Sequence, residues 1–357
     1  MLRQLIGRRS VYTPADPKSL NWSTLGFSYV PTKSMLVAHH QHGQWSEQGQ
    51  SESEPYIKIH ALSNVFHYGQ AMFEGLKAFE QKDGSIRVFR SEENAARMQT
   101  GAARLGMPPV PTKLFNDLVD QAIRENIDYV PPYGSNGSLY LRPFLFGHGA
   151  KLGLGKAPEY TFGVVANPVG NYYPQGPKPV KGVVFGKYDR AAPFGVGSVK
   201  AAGNYAADIV PSSDASEQGY TIVLYLDAAT RTYVEEFSTS NFVAIQGNKY
   251  VTPDSPSILR SVTNLCLQQL AKDAGMEVEV RPVKYDEIQS FQEVAACGTA
   301  VVITPIQQLT EEASGKVTKV GNGEFPKMMD LYRRVRAIQN GEEPDVHGWC
   351  RFVCRRP

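Results

Sequence analysis

In the stretch Gly195-Val196-Gly197-Ser198-Val199-Lys200-Ala201-Ala202-Gly203-Asn204-Tyr205, one long amine stands among Gly, Ala, Ser and Val. Small residues let a flat ring lie against backbone, and a single lysine can then reach it. That is what a lysine needs to form an imine with an aldehyde cofactor such as pyridoxal phosphate. Tyr205 would set a phenol beside the imine. Taken alone, the window describes a solvated loop lysine equally well, so the reading depends on matching parts elsewhere.

Such a cofactor needs a buried carboxylate to keep its ring nitrogen protonated. Glu235 and Glu236 lie in Tyr233-Val234-Glu235-Glu236-Phe237-Ser238-Thr239-Ser240-Asn241. Strand alternation points the two acids to opposite faces, which predicts one inside and one in water. Two acids on an exposed strand is the ordinary alternative. The phosphate needs a cation and backbone N–H groups. Arg90 closes a strand just before a helix, and Leu259-Arg260-Ser261-Val262-Thr263 opens another helix, whose free N–H groups and dipole attract an anion. Cys297-Gly298-Thr299-Ala300 adds a hydroxyl and close backbone approach at a strand break. Each of these segments has a purely structural reading as well.

Other chemistries fit less well. Gly153-Leu154-Gly155-Lys156 resembles a phosphate loop, but Ala150 stands where the earlier glycine is required and Ala157 where Ser or Thr is required. There is no HExxH motif, and the seven histidines show no hydrolase spacing. His39, His40 and His42 sit in a Gln/Gly/Ser-rich stretch without carboxylate or cysteine support and read as an exposed loop; no metal site is expected. The balance of 37 basic and 35 acidic residues implies no field for nucleic acid or membrane, and no apolar run is long enough to span a bilayer. Four cysteines without a CxxC suggest a reducing compartment. Cytoplasm is the default location. The segment Met1–Pro14, with Arg3, Arg8 and Arg9, leaves a short mitochondrial presequence open.

The elements that must position these groups follow from periodicity. Asp83-Gly84 signals a hairpin ahead of Ile86–Phe89, and Ser91 is expected to cap a helix with Glu92 and Glu93 in its first turn. After Pro111 a second helix carries the stripe Leu114, Phe115, Leu118, Val119, Ala122 and Ile123. Leu139–Phe146 and Tyr160–Ala166 read as strands. Pro and Gly cluster in 168–182, the expected interdomain linker, which divides the chain into a small N-terminal α/β domain (1–167) and a larger C-terminal cofactor-binding domain (183–357). Beyond it, Gly182–Tyr188, Thr221–Leu226, Thr232–Glu236 and Asn241–Ile245 read as strands, Thr263–Ala274 as a helix, and Val294–Ile303 as one strand interrupted by Gly298. Pro326–Asn340 reads as a helix stopped by Gly341. The expected class is a two-domain α+β or α/β protein.

Together, several segments resemble the branched-chain amino acid aminotransferases, pyridoxal phosphate enzymes of fold type IV, and most closely the plant and fungal members. The carriers are Tyr68-Gly69-Gln70, Phe73-Glu74-Gly75-Leu76-Lys77-Ala78, Val88-Phe89-Arg90, Tyr140-Leu141-Arg142-Pro143, Pro168-Val169-Gly170-Asn171-Tyr172, Lys200 through Tyr205, Glu236 with Asn241, and Gly298-Thr299-Ala300. The resemblance implies that Lys200 carries pyridoxal 5'-phosphate and moves the substrate's proton. It implies that Glu236 holds the ring-nitrogen proton and Tyr205 the ring hydroxyl. Arg90, Thr299 and the backbone of Val262 and Thr263 would grip phosphate. Thr239, Tyr140 and the Thr299–Ala300 backbone would meet the substrate carboxylate, and Arg142 the distal carboxylate of glutamate. Phe27, Tyr68, Phe73, Lys77 and Tyr172 match side-chain pocket positions. Leu152 and Leu154 match a loop reaching over a neighbouring subunit, which implies a homodimer.

There are departures. The family usually reads Leu-Pro-Gly-Ile/Val-Thr-Arg where this chain has Leu259-Arg260-Ser261-Val262-Thr263-Asn264, with Arg260 expected to face solvent. Val301 and Thr304 occupy the places of the animal members' redox CxxC, so thiol regulation of that kind is not expected. The resulting expectation is ping-pong transamination of Leu, Ile and Val with 2-oxoglutarate. The alternatives are a specialised aminotransferase supplying a peptide natural product, a D-amino acid transaminase or aminodeoxychorismate lyase of the same fold, and a silent binding protein on that fold.

Overall fold

Leu139, Leu141 and Leu145 are buried along the strand Ser138–His148, while Tyr140 is partly exposed and Arg142 exposed on the opposite face. The alternation from Leu139 to Leu145 fixes the register of the first sheet and aims two candidate site residues one way. The computed structural model describes residues 12–170 and 176–356; Tyr172 and the N-terminal arginines Arg3, Arg8 and Arg9 lie outside the described residues. The first sheet is antiparallel, in the order Cys350–Arg355, Ser85–Phe89, Leu76–Glu80, Ser138–His148, Glu159–Val169, Met35–Gln41 and Gln44–Trp45. Ala71–Phe73 adds to Ser138–His148, and Gln50–Glu52 to Met35–Gln41. Helices Ser91–Arg104 and Thr112–Glu125 pack together and against this sheet; the second buries the whole stripe from Leu114 to Ile123 that its sequence pattern predicts.

The second sheet closes on itself. Val234–Phe237, Ile222–Leu226, Val180–Val184, Val302–Glu311, Glu293–Gly298 and Ser240–Gln246 pair in that order, and Val234–Phe237 pairs again with Ser240–Gln246. Val180–Val184 lies parallel to both its neighbours. Helices Val262–Asp273 and Pro326–Asn340 pack together and on the sheet, and Leu267, Leu270, Leu331 and Val335 belong to its core. Gly341, at φ 70°, ends the last helix in the left-handed conformation that glycine tolerates. The final strand, Cys350–Arg355, returns to pair with Ser85–Phe89 in the first sheet.

Several sequence expectations are corrected. Strands run to Val169 and restart at Val180, so they occupy both ends of the expected 168–182 linker. His39 and His40 belong to the strand Met35–Gln41, not a loop; only His42 sits in the turn. Ser91 does not cap its helix: Arg90 holds the N-cap position at φ 51°, and the Ser91 hydroxyl accepts from Arg351 Nε instead. The interrupted strand 294–303 is a hairpin turning through Thr299, Ala300 and Val301. One helix, Ala202–Glu217, has no counterpart in the periodicity reading. It carries Gly203 and an internal Pro211, and buries only Asp208, Pro211 and Ala215.

Candidate active site

Lys200 lies at the junction of the two sheets. Its carbonyl accepts from Phe73 N at 3.2 Å, Ala201 bridges to Met72, and helix Ala202–Glu217 begins immediately afterwards. One helical turn on, Tyr205 returns to the same wall, and Lys200 Nζ donates to Tyr205 Oη at 2.7 Å. The amine also sits 4.7 Å from the centre of the Phe73 ring. Burial, then the nearby Arg97 charge, lower the Lys200 pKa to about 8. A larger share of neutral, nucleophilic amine results near neutral pH. Burial and the Glu236 carboxylate push Tyr205 upward, so its phenol keeps its proton.

Glu236 lines the same cavity, which has a volume of about 680 Å³. Asn241 Nδ2 donates to its Oε2 at 2.8 Å and Leu259 N to its Oε1 at 3.1 Å, with Arg190 Nε also 3.1 Å from Oε1. Burial raises its pKa, while Arg190, the Leu259 N–H, Asn241 and Lys200 pull against that rise. Alternation does send Glu235 to the other face, but that face is covered too. Glu235 is 3% exposed and takes hydroxyl hydrogen bonds from Ser255, at 3.1 Å, and Ser257. Both acids are therefore inside, against the expectation of one in water.

At the anion end the arginine differs from the one the sequence suggests. Arg90 points away from the cavity: it donates to Cys266 Sγ, pairs with Glu93 at 3.1 Å and lies over the Trp349 ring. Arg97, two turns on, lines the cavity instead. The fully buried Glu74 fixes it, accepting from Nε at 2.8 Å and from Nη2 at 2.6 Å, while Nη1 donates to the Arg260 carbonyl at 2.9 Å. Burial works against the Arg97 charge, and Glu74 more than offsets it. Arg97 had a legible signal: a cation on the helix face that carries Asn94 and Gly101, matched to an acid in Phe73-Glu74-Gly75.

Val262 and Thr263 open helix Val262–Asp273 and, with Thr299, line a small cavity that also touches Gly75 and Asn94. Thr299 also lines the main cavity, as does Ser261. Ser261 caps the helix by accepting from Asn264 N at 3.2 Å, so the Ser that replaces Gly has a definite task. Arg260 is exposed, as expected.

The opposite wall is aromatic. Phe27 and Tyr140 meet edge to face at 5.2 Å, and the Arg142 guanidinium lies 4.7 Å from the Phe73 ring and donates to Tyr140 Oη at 3.0 Å. Thr239 and Ala300 complete this side. The Thr299–Val301 turn leads into Val302, which holds φ 69°, a strained conformation for a β-branched residue.

Other expected contacts fall outside the main cavity. Lys77 is buried behind the turn and donates to the Ala300 carbonyl at 2.8 Å; burial, then Arg336, lower its pKa to about 7. Tyr68 is exposed and donates to the Leu152 carbonyl. Leu152 and Leu154 are 76% and 85% exposed.

The resulting arrangement is an amine, a phenol, a buried acid and a fixed cation around one cavity, with an aromatic wall opposite. The class IV aminotransferase pattern matches residues 71–309. The branched-chain-amino-acid aminotransferase of Haemophilus influenzae is 43% identical, over 93% of this chain and 98% of its own. Aminotransferase atnJ of Emericella nidulans is 39% identical, over 88% and 92%. Among solved structures, the Escherichia coli branched-chain amino acid aminotransferase shares the fold, with a TM-score of 0.74 at 24% identity, over 90% of this chain and 99% of that one. A further branched-chain amino acid aminotransferase, solved with pyridoxamine 5'-phosphate, shares it with a TM-score of 0.76 at 24% identity. A match that runs through strands of both sheets, together with relatives this similar along nearly their whole length, makes the chain a member of the class IV aminotransferase family.

Proposed function

We propose that the chain transaminates branched-chain L-amino acids with 2-oxoglutarate, using pyridoxal phosphate. The donor set fits that cofactor: a lysine for its aldehyde, a buried acid for its ring nitrogen, a phenol for its ring hydroxyl, and Arg97, Thr299 and a helix N-terminus for its phosphate. When bound, pyridoxal phosphate supplies an aldehyde for the amine and a ring that draws electrons from the substrate's Cα. Lys200 Nζ would take the proton from the substrate's Cα and pass it to the cofactor, and would carry one back to Cα in the second half-reaction. Tyr205 keeps that amine in place through its 2.7 Å contact. Glu236 stays charged so that the ring-nitrogen proton is held. Arg97, rather than Arg90, meets the phosphate, with Val262 and Thr263 offering helix-start N–H groups.

Substrate recognition divides along the same lines. Thr239 and the Thr299–Ala300 turn receive the α-carboxylate. Phe27, Phe73 and Tyr140 form an apolar wall that distinguishes side chains by only ~1–3 kcal/mol per methylene, so Leu, Ile and Val overlap as donors. Arg142, held by Tyr140, meets the distal carboxylate of glutamate, which lets one cavity serve both half-reactions. Lys77 acts from behind by holding the Ala300 carbonyl. Leu152 and Leu154 bear on a second copy of the chain across a homodimer.

The observation that carries this reading is the Lys200 amine hydrogen-bonded to Tyr205 in a cavity that also holds Glu236. A panel of L- and D-amino donors with 2-oxoglutarate tests it, with Lys200→Ala as the control. Turnover of L-Leu, L-Ile and L-Val is expected, with none in the control. Preference for D-donors would move the chain to a D-amino acid transaminase.

A further inference from the structure

Arg190 is a cation that is only 8% exposed. Its Nε lies 3.1 Å from Glu236 Oε1, Nη2 donates to the Ser257 carbonyl, and Nη1 reaches the Gly197 carbonyl at 3.4 Å. Gly197 is needed for this packing. A Cβ there would strike the Ser257 carbonyl and come within 2.7 Å of Arg190 Nη2. The Ser257 hydroxyl in turn donates to Glu235, and Leu259 N to Glu236. One guanidinium thus touches the segment that presents Lys200, the acid Glu236, and the loop that runs on to Ser261.

We propose that Arg190 is a positioning residue that keeps Glu236 ionised in its buried place and locks the Lys200 segment and the 255–259 loop against it. The inference deepens the transaminase reading, and its catalytic part rests on that reading. The charged and titratable groups around Glu236 are Arg190, Lys200, Tyr205, Arg97 and Cys297. Of these, Arg190 is the cation that makes an ion-pair contact with the carboxylate. A buried carboxylate that loses its charge partner becomes neutral or destabilises the fold. A neutral Glu236 would no longer hold a proton on the ring nitrogen.

The Glu236 pKa is raised in the folded chain, so the stability it contributes is complete at low pH and lost as pH rises through the folded value. Removing Arg190 moves that value higher still and enlarges the loss at neutral pH.

The test uses the cofactor-free protein first. The melting-temperature gap between wild type and Arg190→Met should be small at pH 5 and several degrees wider at pH 8. Arg190→Met/Glu236→Gln should recover the pH-dependent part of the gap, and Arg190→Lys some of it. In the loaded protein, turnover by Arg190→Met should fall by roughly tenfold for each pK unit that Glu236 rises above the assay pH, with KM for the amino donor changed far less. A gap that is equal at both pH values, or a double variant no more stable or better folded than the single, would overturn the proposal and leave Arg190 as a backbone tie. A chain with the expected stability pattern but no turnover of any donor would support the ion pair and defeat the transaminase reading.

Discussion

At the scale of single residues, two arginines seven positions apart have opposite surroundings. Arg90 spends its guanidinium on Cys266, Glu93 and Trp349, while Arg97 is clasped by Glu74 at the cavity wall. Arg97→Ala should therefore weaken cofactor binding by at least ~10-fold in a spectral titration, and Arg90→Ala should leave it near the wild-type value. Equal losses would mean that Arg97 has no special claim on the phosphate. The separation of the two arginines was only partly legible: Arg97 shares a helix face with Asn94 and Gly101, but no neighbour of Arg90 forecasts its left-handed backbone. Lys200, Tyr205 and Glu236 were more legible, since their spacings are local and each stands out from small or apolar neighbours. The lowered Lys200 pKa sets a pH prediction: the rate of covalent cofactor attachment by the apo-protein should rise with pH around a midpoint near 8. A midpoint near the ordinary lysine value of about 10.4 would contradict the burial argument.

At the scale of elements, the strand Ser138–His148 and the segment Phe73-Glu74-Gly75 shape the substrate side together. A side chain at Gly75 would collide with the Tyr140 hydroxyl, on which Arg142 leans. Gly75→Ala should raise KM for both glutamate and branched donors several-fold with only a modest drop in melting temperature. An unchanged KM would show that Tyr140 can move without consequence. Strands and the long amphipathic helix were legible because alternation and a 3.6-residue stripe survive in the text. Helix Ala202–Glu217 was not, because Gly203 and Pro211 interrupt it and only three of its residues are buried. The Thr299–Val301 turn was hidden for a related reason. Its apolar residues continue the strand pattern, and Val302 adopts a conformation its side chain disfavours.

At the scale of the molecule, the site is a seam between two sheets, and the final strand binds the C-terminal part of the chain back to the first of them. Such a seam reads poorly from sequence, because Phe27, Tyr140, Lys200 and Thr299 are brought together only by the packing of separate elements. The proposed homodimer would cover Leu152 and Leu154, which are exposed in the single chain. Leu154→Asp should shift sedimentation from dimer to monomer and lower turnover; an unaltered, active monomeric wild type would remove that part of the account. The central claim is that Lys200 is the residue covalently joined to pyridoxal phosphate. Borohydride reduction of the loaded protein, followed by peptide mass mapping, tests this directly. The account predicts a stable cofactor adduct on the peptide containing Lys200, abolished in Lys200→Ala. An adduct on another lysine, or none, would contradict it.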